Sequence, residues 1–208
     1  KGTLDGRGYC IDGLEIATNW GAFITLLHAE GELKNIGFTN AKLSSVASSL
    51  VTLWGGGSIE NVYVQYTAGV FGAAGGYNGT FFATDSQSNI TENNGLKIKD
   101  CYIDATQITA EGTSGKSNFI GYAYNKDAAK FDATKSYVTM EGVYVLMAET
   151  STNKISLETV GTGEVYNGFK SVELMSTNGP AKREIATWNT TYWTIVNNMP
   201  TWNGLNKA

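Results

Sequence analysis

The sequence predicts an all-β fold, a single-chain right-handed parallel β-helix of about six turns, with loop insertions and an aromatic-rich C-terminal cap. Two observations predict it: a six-residue pattern that recurs along the chain, and an almost complete absence of helical periodicity. Composition agrees, because only 16% of the 208 residues are charged, 42% are hydrophobic and 25 are glycine. Such a chain can bury a sizeable core, and its low charge is typical of an all-β surface protein.

The recurring pattern, called the frame below, runs apolar, any residue, small residue or Asn, apolar, any residue, apolar. Its copies begin 22, 26, 39, 42 and 29 residues apart. The copies are Ile11–Ile16, Leu33–Phe38, Ile59–Val64, Ile98–Ile103, Met140–Val145 and Phe169–Leu174.

The third position of the frame predicts a sharp corner between two strands. It holds Gly, Asn, Asp or Ser, which tolerate the left-handed backbone conformation or form side-chain turns. The last three positions alternate inward, outward and inward, as in a strand with one buried face. We therefore expect Asn35, Asn61 and Asp100 to form a structural ladder along one corner.

Short apolar segments next to glycine follow the first four frames and predict a third face of each turn. These segments are residues 21–27, 51–55, 69–72 and 118–122. The uneven spacing of the frames predicts loop excursions at residues 73–97 and 104–117, which are rich in Gly, Asn, Ser and Thr. Repeat proteins place such insertions on one side, which is often the binding side.

Residues 175–208 depart from the frame. They contain both prolines of the chain and an aromatic group: Trp188, Tyr192, Trp193 and Trp202. Because the end of a stack of strands exposes apolar columns and unpaired edges, we expect this segment to cap turns built from residues 1–174. A carbohydrate-binding platform is the alternative.

The opening of the chain resembles a known family of repeats. Gly2 to Tyr9, Ile11 to Leu14, Gly21 to Phe23 and Leu33 to Ile36 are similar to the Gly-rich GLUG-type repeat. The resemblance is closest over residues 2–38 and weakest after residue 140. It implies a right-handed β-helix of the pectin-lyase-like type, as found in large bacterial surface proteins and phage structural proteins. The repeat is architectural and implies no catalytic residues.

Catalytic residues are not predicted, although many β-helices degrade polysaccharides. A glycoside hydrolase needs two carboxylates facing one sugar. The outward position of the frame puts its two glutamates at opposite ends of the stack, and only Asp100 and Asp104 flank one turn. In order, that position holds Glu15, Gly37, Tyr63, Tyr102, Tyr144 and Glu173.

No metal site or cofactor is predicted. His28 is the sole histidine, and neither Cys10 nor Cys101 has metal-ligand spacing. We expect both cysteines to be buried free thiols, with a disulfide as the alternative. Calcium remains open through oxygen ligands in polar loops, namely Asp85, Glu92, Asp127 and Asp132.

Tyrosine recurs at the outward position of three successive frames. Tyr63, Tyr102 and Tyr144 are expected to form a vertical stripe of rings, extended by Tyr66 and Tyr77. Flat amphipathic rings suit stacking against sugars, so these five residues are candidate ligand-binding residues. The alternative is that the rings only stabilise neighbouring strands.

Charge and hydropathy limit the partners. The net charge of −4, without a basic stripe, argues against nucleic-acid binding, and no apolar run is long enough to span a membrane. The chain begins within the strand-and-turn pattern, which favours flanking domains of the same polypeptide. The leading hypothesis is an extracellular, non-catalytic stalk or adhesion module of a bacterial or virion surface that contacts a glycan or protein receptor. The alternatives are a polysaccharide lyase or glycoside hydrolase, and a purely structural virion or filament component.

Overall fold

The computed structural model describes residues 2–18, 21–44, 49–71, 79–82, 96–107, 109–110, 118–120, 138–146, 172–175, 188–197 and 199–206. Within these ranges every regular element is a strand except one 3-10 helix at Asn203–Asn206, which confirms the all-β prediction. In chain order the strands are β1 (Thr3–Asp5), β2 (Cys10–Asp12), β3 (Glu15–Ile16), β4 (Ile24–Leu27), β5 (Glu32–Leu43), β6 (Thr52–Gly55), β7 (Ser58–Phe71), β8 (Gly79–Phe82), β9 (Leu96–Asp104), β10 (Thr109–Ala110), β11 (Asn118–Ile120), β12 (Val138–Leu146), β13 (Val172–Met175), β14 (Trp193–Val196) and β15 (Met199–Trp202).

The larger sheet is parallel throughout, and its strands follow one another in the order β1-β5-β7-β9-β12-β13. The short strands β2 and β3 also pair with β5, so one long strand carries three short ones. Leu33 pairs with Ile59, and Ile59 pairs with Ile98. These pairings join equivalent positions of the frame. The strands are therefore paired in the register that aligns these three copies of the frame.

A second parallel sheet has the order β11-β8-β6-β4. Three of the predicted third-face segments contribute to it, through β4, β6 and β11. The segment 69–72 was wrongly assigned: residues Gly69 to Phe71 end β7 in the larger sheet, where Val70 and Phe71 pair with β10. Strand β8 takes that place in the second sheet, so part of the predicted excursion 73–97 is a strand.

Corners with a left-handed backbone interrupt the long strands at the predicted position of the frame. The φ angles are 57° at Asn35 and 52° at both Asn61 and Asp100, while Gly13 and Gly142 have φ of 71° and 61°. A single left-handed residue bends the strand at that point, and Asn, Asp and Gly adopt this conformation at the least steric cost.

The first copy of the frame is out of register with the others. Gly37 pairs with Cys10 rather than with Glu15, and Leu33 pairs with Leu4, 29 residues earlier. The reason is that β5 has a second corner at Asn40, where φ is 51°. Gly13 belongs to that second corner, and the local apolar pattern around the two corners is alike.

The core lies on one face of the larger sheet. Apolar residues of β5, β7 and β9 point into it, among them Leu33, Ile59, Val62, Val64 and Ile103, all fully buried. Phe23, which precedes β4, packs edge-on against Phe38 with ring centroids 5.0 Å apart. The second sheet thus helps to close the core formed by the first.

The C-terminal end forms a hairpin in which β14 and β15 pair antiparallel. Trp193 faces Trp202 across this hairpin, and both indoles are buried. No helix in the part of the chain that the structure describes combines the length and hydropathy required to cross a bilayer.

Candidate functional site

Three tyrosines lie in one register column on the outer face of the larger sheet. Tyr63 pairs with Tyr102, and Tyr102 pairs with Tyr144. The rings of Tyr63 and Tyr102 are stacked, with centroids 6.0 Å apart and planes 17° apart. Because Val62 and Val64 on either side of Tyr63 point into the core, the tyrosine column faces outward, as the frame predicts.

The column is not open to solvent. Tyr63, Tyr102 and Tyr144 are only 5%, 4% and 5% exposed. Trp193 packs edge-on against Tyr63, with ring centroids 6.3 Å apart. The ring centroids of Trp188 and Tyr144 are 5.7 Å apart. The prediction of an exposed stripe is therefore wrong, because a distant part of the chain covers these rings.

The two remaining candidate tyrosines do not extend the column. Tyr66 lies in β7, and its side chain is fully buried in the core on the opposite face. Tyr77 lies outside the described residues. The structure therefore brings together three of the five candidate ligand-binding residues and places a fourth where a ligand cannot reach it.

The cover is formed by residues 188–206, which we call the lateral clasp. Its indoles form a continuous chain, with Trp188 to Trp193 and Trp193 to Trp202 each 4.8 Å between ring centroids. The chain of indoles runs from Tyr144 at one end of the column to Cys10 and Gly37 at the other. The lateral clasp thus lies along the side of the stacked strands, which corrects the expectation that this segment covers their end.

Glycines in the outer face make room for the clasp. A β-carbon at Gly37, which precedes the tyrosines in the column, would lie 2.8 Å from the Trp202 Nε1 atom. A β-carbon at Gly142 would lie 2.8 Å from Trp188 Nε1 and 2.7 Å from an Asp100 carboxylate oxygen. These two glycines explain how large indoles approach the backbone of the sheet so closely.

Amide side chains form a ladder along the corner beside the column. Asn35 Nδ2 donates to Asp5 Oδ1 at 3.0 Å, and Asn61 Nδ2 donates to Asn35 Oδ1 at 3.2 Å. Asn61 Oδ1 in turn accepts a hydrogen bond from Trp193 Nε1 at 3.2 Å. The corner ladder therefore satisfies buried amides within the stack and also anchors the clasp.

The carboxyl of Asp100, beside this column, has a raised pKa. Burial raises the pKa of its carboxyl to about 6, which the nearby Lys99 opposes and Glu141 and Glu60 reinforce. Asp104, at the end of the same strand, accepts hydrogen bonds from the Thr106 backbone N–H at 3.0 Å and hydroxyl at 2.7 Å. With a pKa near 6, this carboxyl keeps its proton in mildly acidic solution and can donate it there, and this property is the chemical capacity of the site.

The two cysteines are free thiols and cannot bridge in this arrangement. Cys101 is buried in the core, whereas Cys10 is half-buried and packs with the aromatic cluster on the outer face. Burial raises the pKa of both thiols, which makes them less reactive. The buried Trp202 indole lies beside the Cys10 thiol and opposes part of the rise in the pKa of that thiol.

A metal site is not formed by the residues described. No three His, Cys, Asp or Glu side chains among them converge on one point. The candidate calcium ligands of the sequence lie outside the described residues: Asp85, Glu92, Asp127 and Asp132. Calcium binding by those loops stays the open alternative to the prediction of no cofactor.

Sequence reasoning did not identify the clasp as the partner of the tyrosines. The three tryptophans stood out in the sequence, but their pairing spans a large separation: Trp193 and Asn61 are 132 residues apart. The glycine at the outward position 37 was the available signal, since a missing β-carbon in line with an aromatic column indicates a bulky neighbour.

Comparison with known proteins adds little to this picture. No family model matches the chain, and no curated protein matches it. It is similar to the crystal structure of a putative immunoglobulin A1 protease from Bacteroides ovatus, at 20% identity and a TM-score of 0.45. That similarity covers 96% of this chain and 76% of the other, and it is too low to assign a fold or an activity.

Proposed function

We propose that the chain is a right-handed parallel β-helix that acts as a rigid, non-catalytic stalk or adhesion module of a bacterial surface protein or phage particle. The observation that carries this proposal is the parallel order of β5, β7, β9, β12 and β13, in which each pass of the chain pairs with the pass before it. Two parallel sheets that share one core, with the chain alternating between them, suit a coil better than a doubly wound sheet, which needs helices on its faces. The resemblance to GLUG-type repeats supports the same architecture.

Rigidity is the property that such a module needs. Fully buried apolar columns run through successive passes, and the lateral clasp covers the outer face with indoles that meet the tyrosine rings edge-on or tilted. In a repeat architecture each turn supports its neighbours, so reach increases without a new core for each segment. An extracellular stalk also gains protease resistance from buried backbone.

Receptor contact is assigned to the loop excursions rather than to the tyrosine column. The column is covered by the clasp, whereas the parts of the predicted excursions between β8 and β9 and between β10 and β11 fall where the spacing of the frame is longest. Insertions of this kind commonly carry the binding surface of a repeat protein. We propose a glycan or a protein receptor as the ligand.

A pull-down against soluble and insoluble polysaccharides tests this proposal, with released sugar ends assayed in the same tubes. Retention without released ends supports an adhesion module. Replacing residues 84–94 by a short Gly-Ser linker should abolish retention if that loop binds. Replacing residues 111–117 in the same way serves as the matched variant for the other loop. Released ends would contradict a non-catalytic role.

A polysaccharide lyase or glycoside hydrolase is the second candidate, and one observation favours it. Asp100 has a pKa raised to about 6, within the range of a general acid at neutral pH. The packing of Trp188 close to this carboxyl opposes it, because a sugar would have to displace the indole. Release of sugar ends that disappears in Asp100→Asn would establish this alternative.

A further inference from the structure

The lateral clasp is held together by its own hydrogen bonds. The Asn203 side-chain nitrogen donates to the Thr190 and Thr191 carbonyl oxygens at 3.1 and 3.2 Å. The Asn203 side-chain oxygen accepts a hydrogen bond from the Thr194 hydroxyl at 2.6 Å. The Asn203 backbone N–H donates to the Tyr192 carbonyl oxygen at 2.8 Å. Since β14 and β15 are also paired as a hairpin, the clasp can move against the larger sheet as one piece.

Two tryptophans attach the clasp to the corner of the sheet that contains Asp100. Trp193 Nε1 donates to Asn61 Oδ1 at 3.2 Å, on β7. Trp188 lies against β12, where a β-carbon at Gly142 would be 2.8 Å from its Nε1 atom and 2.7 Å from an Asp100 carboxylate oxygen. Strand β9 lies between β7 and β12 in the sheet. Asp100 therefore lies on the strand between the two points of attachment.

The clasp covers this carboxyl without offering it a counter-charge. Residues 188–206 contain no Asp, Glu, Lys, Arg or His. The charged groups that face Asp100 belong to the sheet: Lys99 on β9, Glu60 on β7 and Glu141 on β12. Two of these three are anions, and the Lys99 side chain is 48% exposed, so that solvent screens its attraction. A charged carboxylate at this place is therefore unfavourable while the clasp lies over it.

The corner ladder also requires a hydrogen-bond donor at this position. Each amide of the ladder donates to the oxygen one strand earlier, Asn35 to Asp5 and Asn61 to Asn35. Asp100 occupies the next corner with the same left-handed backbone. A carboxylate has no proton to donate, whereas a protonated carboxyl has one, and an amide oxygen can accept two hydrogen bonds. The protonated form of Asp100 therefore suits both the ladder and the apolar clasp above it.

We propose that the lateral clasp is a pH-dependent cover of the tyrosine column, docked when Asp100 is protonated and released more often when Asp100 is charged. In the docked state the indoles exclude water from the carboxyl. In the minor released state water solvates the charge, and the three tyrosine rings become accessible to a ligand. This inference goes beyond the stalk proposal and does not depend on it.

The direction of the effect follows from proton linkage. In the docked state burial raises the pKa of Asp100 from 3.8 to about 6. In the released state, access of water returns the pKa toward its ordinary value. The released fraction is therefore lowest below pH 3.8, rises as the pH increases to about 6, and is constant above it. Because each pKa unit changes the equilibrium tenfold, the full rise is up to about a hundredfold.

Hydrogen exchange of the Trp193 indole N–H, followed by nuclear magnetic resonance, tests the proposal. This proton bonds to Asn61 in the docked state and exchanges with water when the clasp is released. We expect its protection factor, which is corrected for the intrinsic exchange rate at each pH, to fall by up to about a hundredfold between pH 3.8 and about 6. In Asp100→Asn the protection factor should stay high at every pH. Asp12→Asn is the matched control, because Asp12 is an exposed carboxylate whose two side-chain donors lie in β5, and it should retain the wild-type fall.

Two exposed neighbours provide a graded test that leaves Asp100 in place. Glu141→Gln removes an anion that raises the pKa of Asp100, so the fall in protection should move to lower pH. Lys99→Gln removes a cation that lowers this pKa, so the fall should move to higher pH. If Asp100→Asn does not fold, these two variants decide, and a fall that moves in neither of them contradicts the inference.

Three further outcomes would overturn it. The first is a wild-type protection factor of the Trp193 indole that does not change with pH. The second is an equal fall in Asp100→Asn. The third is an indole that exchanges only as slowly as the backbone amides of Val64 and Ile103 in the core, because the clasp would then be released only when the whole chain unfolds.

Discussion

Replacing Asp100 by Asn should stabilise the protein at neutral pH, and the gain should disappear in acid. The folded protein raises the pKa of this carboxyl from 3.8 to about 6, because burial disfavours its charged form. Each pKa unit is worth about 1.4 kcal/mol, so the full shift corresponds to ~3 kcal/mol. Part of the carboxyl still meets solvent, and we discount the figure to about 1–2 kcal/mol.

The sign follows from the direction of the shift. Below pH 3.8 Asp100 is protonated in both the folded and the unfolded chain, so it does not reduce the free energy of unfolding. Between that pH and about 6 the unfolded chain loses its proton first, and the stability of the wild type falls. Above pH 6 the loss is complete. Asn cannot ionise, and it already occupies the equivalent corners at positions 35 and 61 with the same left-handed backbone.

Urea unfolding of wild type and Asp100→Asn across this pH range measures the difference. The charges that face Asp100 are Lys99, Glu60 and Glu141, and they are unchanged in the variant. Asp12→Asn is the control of opposite sign, because hydrogen bonds from Thr39 and Asn40 lower the pKa of Asp12 and its charged form is the stabilising one. A stability difference for Asp100→Asn that does not vary with pH would refute the reasoning.

Three further predictions concern the clasp and the column. Gly37→Ala should lower the melting temperature by the equivalent of about 1–3 kcal/mol, because a β-carbon there would lie 2.6 Å from Cys10 Sγ and 2.8 Å from Trp202 Nε1. Gly2→Ala, which has open space around it, should be neutral, and equal effects of the two would contradict this account. Trp193→Phe should cost about 1–2 kcal/mol in urea unfolding by leaving the Asn61 oxygen without its indole donor; an unchanged midpoint would show that the bond is dispensable. Tyr102, whose pKa burial raises, should stay protonated in an ultraviolet titration of the folded protein and ionise only when the chain unfolds. Its ionisation before the β-sheet signal in circular dichroism is lost would show that the clasp opens.

Local patterns predicted the parts of the fold that depend on neighbours in sequence. The corner residues Asn35, Asn61 and Asp100 have the left-handed backbone that their residue types favour. The outward direction of Tyr63 followed from strict alternation along a strand. Both features are fixed within a few residues, so the sequence alone could indicate them.

Features fixed by distant contacts escaped prediction. An outward tyrosine looks the same in the sequence whether water or Trp193 covers it, and burial of 95% of its surface is decided by a segment far along the chain. The predicted alignment of the first frame copy with the others was wrong for a related reason. Corners at Asn35 and Asn40 have similar flanking residues, and only pairing across strands distinguishes them.

The lateral clasp changes how the stack should come apart under load. Without it, each strand of the larger sheet would pair only with the strands beside it, and the β-helix proposed above could unfold one pass at a time from either end. The clasp touches Gly37 in β5 and Tyr144 in β12, so it connects strands that are not adjacent. Force applied to one end of the chain must then first separate the packed indoles of the clasp from the tyrosine column. We expect the molecule to unfold in a single step at a threshold force, rather than strand by strand at low force.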